Sequence, residues 1–195
     1  MQGIINPNKT KTIKELGKVD ITEFKQMVMS LPDEYWEEHN RRKPNSFGAL
    51  SQTQHIVFKF VRNFQSHRES VEYPVWKSWQ DKIEPLLQTI TKSYGYQDSI
   101  YPRIMLAKLP GGCRIPLHID RNPAANYPHK IHIPIQTNPQ AYFFVGKQAY
   151  HFAEGYGYEV NNKAKHGVIN NGNTPRIHLI FEYADVPAKI ASVVR

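Results

Sequence analysis

Apolar positions change their spacing midway along the chain. Ile21, Phe24, Met27, Val28 and Leu31 recur at helical intervals, and Asp20 with Glu23 reads as a capping box at the start of that helix. Pro32 stops it. "QHIVFKFVR", 54–62, alternates and is rich in β-branched and aromatic residues, the pattern of a strand. A second helical stretch runs from Pro74 to Tyr94, with Trp76, Trp79, Ile83, Leu86, Leu87 and Ile90 as its apolar stripe. Pro85 inside it predicts a kink or a split, and Gly95 fits the position just past its end. After Tyr96 the helical period disappears. "RIMLAKL", "HKIHIPIQT", "AYFFVG", "QAYHFA", "YGYEVN", "HGVIN" and "PRIHLIFEY" are short β-like runs separated by Gly, Pro and Asn, which predicts a sandwich or barrel.

The expected fold is therefore α+β and mainly β, with N-terminal helices packed on a C-terminal barrel. No repeat or flexible linker divides it, so 1–195 is read as one domain. Within it, 1–98 is a helical and strand part, 99–183 the β core and 184–195 a short tail. The polar, lysine-rich residues 1–18 are expected to be an extended or loosely attached arm.

Composition narrows the class. With 40% hydrophobic and 22% charged residues the chain has the balance of a soluble globular protein. It has no apolar run of membrane-spanning length, and "MQGIINPNKTKTIKEL" lacks the apolar core of a signal peptide. A single cysteine, Cys113, excludes an internal disulfide and a cysteine-rich zinc site. A cytoplasmic location is the simplest expectation. The net charge of +8 suits nucleic acid or an anionic substrate equally. Its densest cluster, "HNRRKPN" at 39–45, reads as a solvated loop, and without any nucleic-acid motif a nucleic-acid partner is not expected.

Candidate chemistry starts in "PLHIDRNP", 116–123. His118 and Asp120 stand two apart, so on a strand both face one side and Ile119 the other. Nine histidines and six aspartates produce about 0.3 such triplets by chance, so the pair needs a third ligand. His166 in "NNKAKHGVINN" is the best candidate. Two imidazoles and one carboxylate on one face of a metal match the ligand set of non-haem Fe(II) oxygenases. A closed zinc site would recruit a fourth protein ligand. Arg176, ten residues after His166, offers a fork for a carboxylate. Its competing assignment is a surface ion pair with a glutamate such as Glu182.

His118-x-Asp120, His166 and Arg176 together resemble the Fe(II)/2-oxoglutarate-dependent oxygenases, and in finer detail the aspartyl/asparaginyl β-hydroxylase branch, which includes free-proline hydroxylases. "RIMLAKLPGGCRIPLHID" resembles that branch's entry to the first iron ligand. Residues 129–183 resemble its next stretch in order and spacing: a basic-x-His pair, an aromatic-Gly segment, His-x-x-x-Asn and the arginine. The likeness spans roughly 101–183. It implies a double-stranded β-helix, a jelly-roll or cupin-like barrel. It further implies that His118, Asp120 and His166 hold Fe(II), that Arg176 takes the far carboxylate of 2-oxoglutarate, and that His132 and Lys130 bind the co-substrate nearer the metal. Lysine stands at 130 where the branch often has arginine, and Ala107 where it has a serine.

The implied activity is a dioxygenase that uses molecular oxygen to hydroxylate a C–H bond of an amino acid, free or in a peptide, with an Asp-, Asn- or Pro-like side chain. The implied partner is a small-molecule or peptide substrate, and the basic balance favours one bearing a carboxylate. Arg121, His55 and His178 are the candidate substrate contacts. The rival readings are a cupin-like metalloenzyme of other chemistry and a non-catalytic β-barrel binding module.

Overall fold

The computed structural model describes residues 5–44 and 47–186. Helices α1 (Thr22–Met29), α2 (Asp33–Arg41) and α3 (Trp76–Thr91) belong to the N-terminal half. The strands, in chain order, are β1 (Ile13–Lys18), β2 (Gln54–Val61), β3 (Ser70–Glu72), β4 (Ser99–Ile100), β5 (Ile104–Leu109) and β6 (Arg114–His118), then β7 (His129–Gln136), β8 (Ala141–Val145), β9 (Gln148–Tyr150), β10 (Tyr156–Val160), β11 (His166–Asn170) and β12 (Arg176–Asp185). One sheet runs β1-β10-β7-β12-β5-β2-β3, with β4 added beside β12, and the other runs β6-β11-β8-β9. The two share no strand, so the jelly roll is a sandwich of two sheets and not a closed barrel.

The larger sheet is covered on both faces, which explains why its strands do not alternate cleanly between buried and exposed. Ile131, Ile133 and Ile135 of β7 and Ile177, Leu179 and Phe181 of β12 pack against the helices through Phe24, Trp36, Trp79 and Leu87. The residues between them face the smaller sheet. On β12 these are Arg176, His178, Ile180 and Glu182, and on β7 Lys130 and His132. A polar side chain on this face is therefore buried by the sandwich. A second apolar cluster, including Leu109, Phe143, Phe152, Tyr158 and Val168, closes the space between the sheets.

Several local expectations change. α1 begins at Thr22 with no side-chain cap bond. Asp20 Oδ1 accepts from the backbone N–H and hydroxyl of Thr22, and Glu23 pairs with Lys82, so no capping box forms. Pro85 lies inside a helix that runs unbroken from Trp76 to Thr91. Buried residues on both sides of the proline, Ile83 and Leu86 among them, pack on the same core, and that packing outweighs one missing backbone bond. Residues 33–41, partly read as loop, form α2, and Gly95 does adopt the left-handed conformation, φ 66°. The N-terminal arm is tied down: β1 pairs with β10 at the edge of the larger sheet, and Asn6 is buried. β12 runs to Asp185, two residues into the stretch read as tail, and 187–195 lie outside the described residues.

Candidate active site

β6 and β11 carry the two histidines. They pair antiparallel with His118 directly opposite His166, and the register shifts immediately after, between His166 and Val168. Gly167 makes that approach possible: a Cβ there would lie 2.7 Å from the Ile115 carbonyl oxygen. β6 ends at His118, and Asp120 sits in the following loop, its backbone N–H bonded to the Asn162 carbonyl at 3.1 Å. The two residues therefore do not share one strand face; the strand stops at His118 and the loop brings the carboxylate in.

Each histidine is fixed by its other ring nitrogen. His118 Nδ1 donates to the Pro116 carbonyl at 2.8 Å and His166 Nδ1 to the Ala164 carbonyl at 3.0 Å. A carbonyl only accepts, so Nδ1 carries the proton and Nε2 keeps a free lone pair. Asp120 Oδ1 lies 3.7 Å from His118 Nε2 and 3.9 Å from His166 Nε2. Both spans are below the roughly 4.2 Å that two bonds of about 2.1 Å can bridge. One atom from each of the three residues falls within 4.8 Å of the other two. Burial and then the Lys130 charge push His166 down to about 4, so its imidazole is neutral at physiological pH. Burial would raise the Asp120 carboxyl, but Lys130 and the two imidazoles hold it well below the usual carboxylate range. Two imidazoles and a carboxylate are a donor set that fits a divalent transition metal.

These residues line a cavity of about 580 Å³ between the sheets that also takes in His132 and Arg176. Arg176 is 3% exposed. Among the described residues no carboxylate pairs with it, since Glu182 pairs with Arg103 instead. Its Nη2 donates to His178 Nδ1 at 2.7 Å, and burial pushes the guanidinium down to about 9, which leaves it charged near neutrality. A buried cation facing a cavity with no anion of its own is suited to an incoming anion. His132 stands on the same wall, neutral through burial, with Nε2 buried and unpartnered.

The remaining expected site residues are placed as follows. Lys130 lines the cavity, but its ammonium lies 2.6 Å from Asp120 Oδ2, where it holds the carboxylate and leaves Oδ1 free. His55 lines the cavity, buried, with Nδ1 unpartnered, and burial with Lys43 and Lys130 pushes it down to about 3. Arg121 lines the cavity and is exposed. His178 is not on the cavity wall; it stands against Arg176 and His132. Sequence reasoning missed Arg103, which lines the cavity, pairs with Glu182 and bonds Asn122 Oδ1 at 3.1 Å. It also missed Asn162, buried beside Asp120. Only the polar run "NNKAK" before His166 hinted at the latter.

The family model for aspartyl/asparaginyl β-hydroxylase matches residues 81–185, more than half of the chain. The chain belongs to that family. It is accordingly a dioxygenase that depends on Fe(II) and 2-oxoglutarate. No curated protein matches the sequence. Solved structures share the fold at low identity. A 2OG-Fe(II) oxygenase family oxidoreductase from Burkholderia pseudomallei is 13% identical over 86% of this chain and 91% of its own, with a TM-score of 0.55. The viral collagen prolyl hydroxylase of Paramecium Bursaria Chlorella virus-1 is 10% identical over 90% and 97%, with a TM-score of 0.52. A Pseudomonas putida prolyl-4-hydroxylase is 10% identical over 91% and 94%, with a TM-score of 0.50. Among the described residues no helix is long and apolar enough to cross a membrane.

Proposed function

We propose that His118, Asp120 and His166 hold the family's Fe(II), that Arg176 takes the far carboxylate of 2-oxoglutarate, and that the substrate is an amino acid, free or within a peptide, with an Asp-, Asn- or Pro-like side chain. The observation that carries this reading is the buried, carboxylate-free Arg176 in the same cavity as three converging ligand atoms. When bound, iron, 2-oxoglutarate and molecular oxygen supply the oxidation: one oxygen atom enters a substrate C–H bond and the other enters succinate, with loss of CO₂.

The protein's part is binding, orientation and dryness. Arg176 pairs with the carboxylate through N–H groups left free by its single bond to His178, and that bond fixes the plane of the fork. His132 offers its unpartnered Nε2 to the metal end of the co-substrate. Lys130 turns Asp120 so that one oxygen faces the histidines. Phe143, stacked at 6.0 Å on His166, screens the site from water. His55 and Arg121 face the space left for substrate; a neutral imidazole and an exposed guanidinium suit a group that carries a carboxylate or carbonyl. A cytoplasmic location fits the same reading.

A screen for succinate formation tests it, using free proline, other amino acids and Asp- or Asn-containing peptides with Fe(II) and 2-oxoglutarate. At least one of these substrates should raise succinate well above the substrate-free rate, and the gain should vanish in Arg176→Met. A flat response across the screen would refute the substrate class.

A further inference from the structure

The groups that hold Asp120 come from distant parts of the chain. Its Oδ2 accepts from Lys130 Nζ at 2.6 Å and from Asn162 Nδ2 at 3.3 Å. Its carbonyl accepts from Lys163 Nζ at 2.6 Å. Asn162 is fully buried, and its own side-chain oxygen is taken by Lys9 Nζ at 2.7 Å. Lys9 also donates to the carbonyls of Pro128 at 2.6 Å and Ala125 at 3.3 Å, in the loop that follows Asp120. The backbone around Lys9 grips the same turn: Thr12 O accepts from the Asn161 N–H at 2.9 Å, and Lys11 O from Asn161 Nδ2 at 2.8 Å.

This arrangement decides which way the Asn162 amide points. An ammonium only donates, so the end of the amide facing Lys9 must be oxygen. The other end, Nδ2, is then turned toward Asp120 Oδ2 and the Ala125 carbonyl, both acceptors. Without Lys9 the amide can flip, and the flip sets its oxygen against a carboxylate. A flipped or mobile amide would leave Lys130 as the one remaining donor to the Asp120 carboxylate among the described residues.

We propose that the N-terminal segment is part of the metal site: Lys9 is a positioning residue that fixes the Asn162 amide, and through it keeps the outer oxygen of Asp120 occupied and the inner one free for the metal. The proposal rests on Asp120 being a metal ligand. It places a working residue well outside 81–185, the stretch that carries the family match.

The test is Mn(II) titration of the metal-free full-length chain, which needs no turnover. Lys9→Met keeps the apolar stem and removes the donor. Asn6→Ala is the control, because Asn6 is buried in the same segment but bonds His129 instead of Asn162. Lys9→Met should weaken Mn(II) binding by about tenfold, the low end for outer-sphere partners of ligands, while Asn6→Ala lowers the melting temperature with affinity within about twofold of the parent. Lys9→Met at parental affinity would overturn the proposal, as would Asn6→Ala weakening binding equally, since general loosening of the segment would then suffice. If Lys9→Met does not fold, Lys9→Leu, which also lacks a donor, carries the same comparison. His118→Ala separates the two levels. If it retains Mn(II), the ligand reading itself fails; if it loses Mn(II) while the Lys9 variants bind normally, only the role of Lys9 fails.

Discussion

Arg176→Met separates co-substrate binding from metal binding. Burial pushes Arg176 from 12.5 to about 9, which corresponds to roughly 5 kcal/mol against the charged form. That penalty is present at any pH below about 9, where the group is charged both folded and unfolded. Methionine removes the charge and keeps an apolar stem, so the ligand-free variant should be at least as stable as the parent. For 2-oxoglutarate the sign reverses. Its far carboxylate would enter the sandwich unpaired, at a cost of about 2–5 kcal/mol, or roughly 30- to 5,000-fold in Kd. The assay is thermal unfolding of the Mn(II)-loaded protein with and without 2-oxoglutarate. At a co-substrate concentration about 100 times the parental Kd, the parent gains about 2.7 kcal/mol. The variant gains about 0.9 kcal/mol or less by the same relation. For a chain of 195 residues these correspond to shifts of about 6 °C and about 2 °C or less. A full shift in the variant, or loss of Mn(II), would refute the assignment of Arg176.

Other outcomes follow from the same geometry. Asp120→Asn should weaken Mn(II) binding by at least about tenfold, read by titration, because it removes the anionic ligand and leaves Lys130 without its partner. Gly167→Ala should lower both the melting temperature and metal affinity, since its Cβ would meet the Ile115 carbonyl at 2.7 Å and push β11 from β6; an unchanged Mn(II) titration would contradict this. The metal-free protein should lose stability as pH falls from 7.5 to 5. Burial holds His55 at about 3 and His166 at about 4, so between those values and 6.5 the unfolded chain takes up protons that the folded one does not. At pH 5 each contributes a loss of about 2 kcal/mol. Asp120, lowered from 3.8, would withdraw its contribution only at more acidic pH. Equal urea midpoints at pH 7.5 and pH 5 would show that these histidines are not buried and neutral.

The residues read most directly from the sequence were those whose relationship is local. His118 and Asp120 stand two apart, and the strands β7, β8, β10, β11 and β12 each carry enough β-branched or aromatic side chains to announce themselves. His166 and Arg176 were reached through ligand chemistry and family resemblance, because their spacing alone names no partner. α2 escaped notice since its apolar signal is one adjacent pair, Tyr35 and Trp36, with no recurrence at helical spacing. Its acidic first turn and basic last turn, which suit the helix dipole, were the overlooked cue. β1 read as a loose arm because its partner β10 lies far along the chain and its own residues are mostly polar. The same distance hid Lys9. Nothing in a lysine-rich stretch distinguishes the one ammonium that reaches Asn162. Strand density left sandwich and barrel both open, since strand number alone says nothing of where the hydrogen-bond ladder breaks; the two sheets make the jelly roll a sandwich.

The most direct test of the central claim is anaerobic titration of the apoprotein with Fe(II) in the presence of 2-oxoglutarate, followed by visible absorption. A weak metal-to-ligand band should grow and saturate at one Fe(II) per chain, and it should be absent from His166→Ala. Iron bound to the parent without any such band, or a band undiminished in His166→Ala, would contradict the claim that His118, Asp120 and His166 present one iron to the co-substrate held by Arg176.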